Sequence, residues 1–117
     1  MNEDRTDRLL SALAHSGRRR MLDLLMEAPG ISVKALASHF PISRVAVLKH
    51  VQLLEEAELV ITKKRGRTRH LYFNPVPIQL LRDRWTNHYS AFFSERVADI
   101  KSRVEGRAID QQENKRA

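Results

Sequence analysis

The chain of 117 residues contains no cysteine. That absence removes disulfides, thiolate metal sites, cysteine nucleophiles and thiol redox switching together. Glycine and proline are sparse, four of each, and they form no Gly-rich phosphate loop and no low-complexity tract. No apolar run approaches the ~20 residues of a membrane span. The opening MNEDRTDRLL lacks the basic start and apolar middle of a signal peptide, so a cytoplasmic protein with no membrane contact is expected. Acids are scarce in one region above all. Residues 28–82 carry nine Lys or Arg against Glu55, Glu56 and Glu58 alone, whereas the two flanks hold twelve bases and eleven acids. The net charge of +7 is therefore concentrated in the middle, as in a nucleic-acid-binding face set in a nearly neutral scaffold.

With 42% apolar and 30% charged residues, the composition is that of a soluble globular protein, and the length suits one domain. Helical spacing of Leu9, Leu10 and Leu13 predicts a first helix over residues 6–15, with Thr6 as its cap. After an interruption at Ser16-Gly17, Met21, Leu22, Leu25 and Met26 mark a second helix that Pro29-Gly30 stops. Ser32 caps a short third helix with Leu36 inward, and Ser43 caps a fourth whose buried stripe is Val47, Val51 and Leu54, widened by Ala46, Leu53 and Ala57. Residues 59–65 and 67–73 read as two strands turning near Gly66, with Leu59, Ile61, Leu71 and Phe73 available to the core. Asn74-Pro75-Val76-Pro77 ends the sheet, and a long amphipathic helix is expected from Ile78 to about Val104. A domain over 1–105 and a polar, frayed tail over 106–117 complete the expected organisation.

The fourth helix leaves Arg44, Val45, Leu48, Lys49 and Gln52 outward at its start and Glu55 and Glu56 at its end. This order opposes the helix dipole, which favours acids first, and an anion bound near the N-terminus would supply the missing charge. Five cations, Lys63, Lys64, Arg65, Arg67 and Arg69, then crowd the turn with no acid among them. Edge charges that discourage strand aggregation account for some of this density, not for all of it.

Taken in order, "ALAHSGRRRMLDLL", "ISVKALASHFPISRVAVLKHVQLLEEAELV" and "GRTRHLYFNP" resemble the ArsR-type family of small transcriptional regulators from about residue 8 to residue 104. The aromatics of the last helix are similar to those of its branch without metal ligands. The resemblance implies a mainly α fold with a small two-stranded β-ribbon, a winged helix-turn-helix, dimerised through its first and last helices. It implies that the helix from Ser43 enters the DNA major groove while the ribbon tip reaches a neighbouring groove. The expected DNA contacts are Ser43, Arg44, Val45, Leu48, Lys49 and Gln52 on the helix and Lys64, Arg65 and Arg67 on the ribbon, with Lys34 and Ser32 near phosphates or merely solvated. The expected dimer contacts are Leu9, Leu13, Leu81, Trp85, Tyr89, Phe92, Phe93 and Ile100. Two departures stand out. Family members usually have Gly where Glu58 stands, implying a left-handed Glu58 or a different helix exit, and often Ser where Leu48 stands, which here can pack on a thymine methyl.

Metal-sensing relatives use a cysteine pair in the short helix or Asp-x-His with a partner pair in the last helix. Here the short helix reads ALASHF, and Asp83 is followed by Arg84 and Trp85. The five histidines show no i, i+4 pairing, and His50 reads as structural. No metal or other cofactor is expected. Catalysis is disfavoured too, because no nucleophile set and no carboxylate cluster is in place. The expected function is sequence-specific binding of double-stranded DNA by a homodimeric repressor at an inverted repeat, with the inducer unknown. A metal- or small-molecule sensor of the same fold is the alternative, and a protein- or RNA-binding module a more distant one.

Overall fold

A computed structural model describes residues 1–87 and 95–106. The elements run α1 (Glu3–Leu13), α2 (Ser16–Glu27), β1 (Ile31–Ser32), α3 (Val33–Ala37), α4 (Arg44–Glu56), β2 (Val60–Arg65), β3 (Thr68–Phe73) and α5 (Val76–Thr86), followed by a helix α6 over residues 95–106. They divide into two compact units, Met1–Leu81 and Arg82–Ala117.

The core of the first unit is built from the periodic positions. Leu9, Met21, Leu25, Leu36, Val47, Leu54, Leu59 and Leu71 are all wholly buried, so four helices and the sheet close on one another. The sheet has the order β1-β3-β2, all antiparallel. The expected ribbon is therefore joined by a third, two-residue strand. Ile31 pairs with Leu71 and Ser32 with His70, a stretch too short to carry a strand pattern of its own.

Several local expectations shift for identifiable reasons. α1 starts three residues early because Asn2 takes the cap, accepting from the Arg5 N–H at 2.8 Å. Thr6 instead lies buried in the first turns, its hydroxyl donating to the Asn2 carbonyl. The break between α1 and α2 falls at Ala14-His15, with Ser16 and Gly17 inside the first turn of α2. Met26, Leu53 and Ile61 point to solvent. For Ile61 the reason is register: Val60 faces the core, so its neighbour on a pleated strand faces away. Leu9 is wholly buried within its own protomer and offers no surface to a second one, which corrects its assignment to the dimer contacts. α5 begins at Val76, two residues before the expected start, since Pro77 is tolerated in a first turn whose N–H groups lack helical partners. Tyr89, Phe92 and Phe93, in the middle of the expected last helix, lie outside the described residues.

The end of α4 resolves the departure at Glu58. Leu59 N–H donates to the Leu54 carbonyl and Glu58 N–H to the Glu55 carbonyl, both at 2.9 Å, the paired bonds of a Schellman motif that needs a left-handed residue between them. Glu58 is that residue, with φ 62°. Its carboxylate pairs with Arg5 of α1, and its carbonyl accepts from the Asn74 amide at 2.9 Å.

Candidate nucleic-acid interface

α4 presents its outer face because its inner face is committed. Val47, Val51 and Leu54 are buried, which turns Arg44, Val45, Lys49 and Gln52 to solvent and leaves Leu48 half-buried against the core. Ser43 fixes the start, its hydroxyl accepting from the Ala46 N–H at 3.1 Å. Val45 is 63% exposed. A β-branched apolar side chain in water contributes nothing to folding at that position, whereas it can pack on a base methyl.

The hairpin stands beside this helix. Gly66 and Arg67 form its two-residue turn between Arg65 and Thr68. Gly66 has φ 63° and Arg67 does not share the positive φ, the pattern of a type II′ turn with glycine first. The stem is tied to the body through His70, whose Nδ1 bonds the Gly30 carbonyl at 2.9 Å. Gly30 itself has φ 85°, and a Cβ there would stand 3.1 Å from the Tyr72 hydroxyl oxygen.

Between the start of α3, α4 and the hairpin lies a groove of about 440 Å³, lined by Ser32, Lys34, Arg44, Leu48, Arg67 and Arg69 among others. A second depression beside α4 is lined by Val45, Leu48, Lys49, Gln52, Glu55 and again Arg69. Ser32 caps α3 by accepting from the Ala35 N–H at 3.0 Å, which leaves Lys34 at the groove. Lys64 and Arg65 are exposed farther along the hairpin, opposite Arg69 and Thr68 respectively, and neither lines the groove. Lys63 lies over the Tyr72 ring at 5.5 Å.

Among the described residues, Lys34, Arg44, Lys49, Lys64, Arg65, Arg67 and Arg69 have no carboxylate partner. Lys64 and Arg69 are directly opposed across the ladder, an arrangement that is unfavourable in isolation and becomes favourable when an anion lies against it. Arg69 was within the cationic run but not among the expected contacts. The tertiary fold brings it into both depressions beside α4, information that spacing alone does not carry. The surface is thus a helix with an exposed outer face beside a group of cations that lack carboxylate partners, in a winged helix-turn-helix unit.

Known proteins are similar in sequence and fold. A family model described as an HTH domain matches residues 18–70. An uncharacterized HTH-type transcriptional regulator of Bacillus subtilis, YuzN, is 35% identical over 85 residues, which cover 68% of this chain and 92% of that protein. The structure of an ArsR-like transcriptional regulator from Rhodococcus is 27% identical, with TM-score 0.64 over 88% of this chain and 93% of that one. A homodimeric winged helix-turn-helix DNA-binding domain from Mycobacterium bovis shares the fold at 24% identity, with TM-score 0.59 over 66% of this chain and 71% of that one. The chain belongs to the ArsR-type family of winged helix-turn-helix transcriptional regulators. Its role is DNA-binding regulation of transcription rather than catalysis.

Proposed function

We propose that the protein is a homodimeric repressor that reads an inverted-repeat operator through the start of α4 and holds the flanking phosphates with the hairpin. Arg44, Val45, Leu48, Lys49 and Gln52, with Ser43 at the cap, face base edges, and Lys64, Arg65, Arg67 and Arg69 face the backbone. Repression follows from occupying a promoter in the cytoplasm. The observation that carries the reading is the set of seven unpaired cations around a helix that also exposes Val45: the cations call for a polyanion, and the apolar tip calls for a base surface.

Residues 1–105 act as one DNA-binding and dimerising domain, with 106–117 as a polar tail. Support for pairing comes from Trp85 on α5 and from Val97, Ile100 and Val104, spaced i, i+3, i+7 on α6, all of which are about 60% exposed. An apolar stripe of that spacing is the seam a second helix covers. Leu13 and Leu81, in the first unit, are half-buried against its core.

Among the described residues no group of three or more His, Asp or Glu could hold a metal, and no helix is long and apolar enough to cross a membrane. Selection of bound fragments from genomic DNA, followed by footprinting, tests the reading. Two protected half-sites in inverted order, about one helical turn or a multiple of it apart, are expected. Protection of a single unrepeated site by a sedimenting monomer would overturn it. Zinc, nickel or arsenite at modest excess should leave the complex intact.

A further inference from the structure

The start of α2 is tied to α4 by a cluster that the DNA-reading surface does not use. Arg18 reaches two other elements with one guanidinium. Its Nε donates to the Ala12 carbonyl at 2.9 Å and its Nη2 to the Ser11 carbonyl at 3.0 Å, both in the last turn of α1, while Nη1 lies 3.3 Å from Nδ1 of His50 on α4. An arginine only donates, so His50 Nδ1 is the acceptor and the ring is neutral. His15 repeats the arrangement. It occupies the N-cap of α2, where Asp, Asn, Ser or Thr is usual, and its Nδ1 accepts from the Gly17 N–H at 3.0 Å. The two imidazoles are 4.8 Å apart between centroids. A proton on His50 Nδ1 breaks its hydrogen bond and places a cation beside Arg18.

We propose that Arg18, acting through His50, is a positioning residue for the recognition helix α4, and that protonation of His50 undoes this hold, so that acidification releases sequence-selective DNA binding. The inference rests on the operator-reading proposal above. Burial, then the charges of His15 and Arg18, hold the His50 imidazole below its ordinary value of 6.5. The folded state therefore refuses a proton that the unfolded state accepts. The stabilisation is complete above the ordinary value and is lost as pH falls below it. Asp7 and Arg8 of α1 and Glu56 of α4 line the groove beside Arg18. α3 and β2, also packed on α4, bring only Lys34, Lys63, Lys64 and Arg65. None of these carboxylates is among the groups that act on the His50 ring.

The sign separates this device from general electrostatics. Protonating histidines raises the net charge, which by itself strengthens binding to any duplex. The test uses the full chain and a duplex recovered by selection from a random library at pH 7.5, with a random-sequence duplex of equal length as control. Affinities are followed from pH 8 to 5.5 at fixed ionic strength, with circular dichroism alongside. The expected result is loss of affinity for the selected duplex, approaching roughly tenfold per pH unit for one linked proton, while the helical signal and the control affinity hold or rise. His15→Asn keeps an acceptor for Gly17 and removes one of the charges that hold the proton off His50, so its acid loss should move to higher pH. Arg18→Lys, which cannot span three acceptors, should bind the selected duplex weakly already at pH 7.5, with a flattened profile. A wild-type affinity for the selected duplex that is equal at pH 8 and 5.5, or an unchanged profile in His15→Asn, overturns this inference alone. Failure to recover any selected duplex overturns the operator-reading proposal and this one with it.

Discussion

α4 and the β2–β3 hairpin are both cationic, yet they are anchored in opposite ways. Three side chains of α4 are buried in the core, its start is capped by Ser43, and its end is closed by the paired bonds around Glu58. The hairpin tip has nothing of the kind: a Cβ at Gly66 would meet no atom within 4 Å, and every residue from Lys63 to Arg69 is exposed. Reading base edges demands fixed geometry, because a forked hydrogen bond fails when displaced by a fraction of an ångström. Holding a phosphate demands only charge within reach. The two degrees of anchoring fit the proposed division, sequence readout for the helix and positioning for the hairpin.

That contrast can be broken at several points. The largest effect is expected from Leu54→Ala, which empties a wholly buried site beneath α4. It should cost about 2–5 kcal/mol of stability, measured by urea denaturation, and binding to selected and random duplexes should fall together because the platform itself softens. Arg44→Ala leaves the platform intact and should cost roughly 1–3 kcal/mol on the selected site, with little change on random DNA. Arg67→Ala should weaken all duplexes alike and reduce the slope of log affinity against log salt by about one, the signature of one lost phosphate contact. The smallest effect should follow Glu58→Gly. A non-glycine residue in the left-handed region costs about 1–2 kcal/mol, whereas an exposed ion pair such as Arg5–Glu58 contributes about 0–1. Relief of strain should win by a small margin, and thermal melting should show a slight rise in stability with operator binding retained.

Much of this architecture is legible in the residues. The stripes Val47, Val51, Leu54 and Met21, Leu22, Leu25 mark their helices' inner faces because a 3.6-residue period admits few others. Ser32 and Ser43 cap as their positions suggest. The shifted helix ends have local causes, the caps at Asn2 and His15 and the early Pro77, but the other departures depend on contacts distant in sequence. β1 is a strand only because β3 lies beside it, and Ile61 turns outward because the ladder sets its register. Leu9 is buried because α2 and α4 pack on the helix that carries it. The candidate site follows the same division. The outer face of α4 comes from local periodicity, but the placement of Arg69 beside that helix and the joining of Arg18 to His50 come from the tertiary fold.

The division of labour between helix and hairpin is tested most directly by one quantity, the ratio of affinities for the selected and the random duplex, measured across salt for the wild type, Arg44→Ala and Arg67→Ala. The account predicts that Arg67→Ala lowers both affinities and leaves the ratio where the wild type has it, while Arg44→Ala collapses the ratio by about tenfold or more, the equivalent of a lost forked contact. A ratio that falls as far in Arg67→Ala as in Arg44→Ala would contradict it, because the hairpin would then be reading sequence alongside the helix.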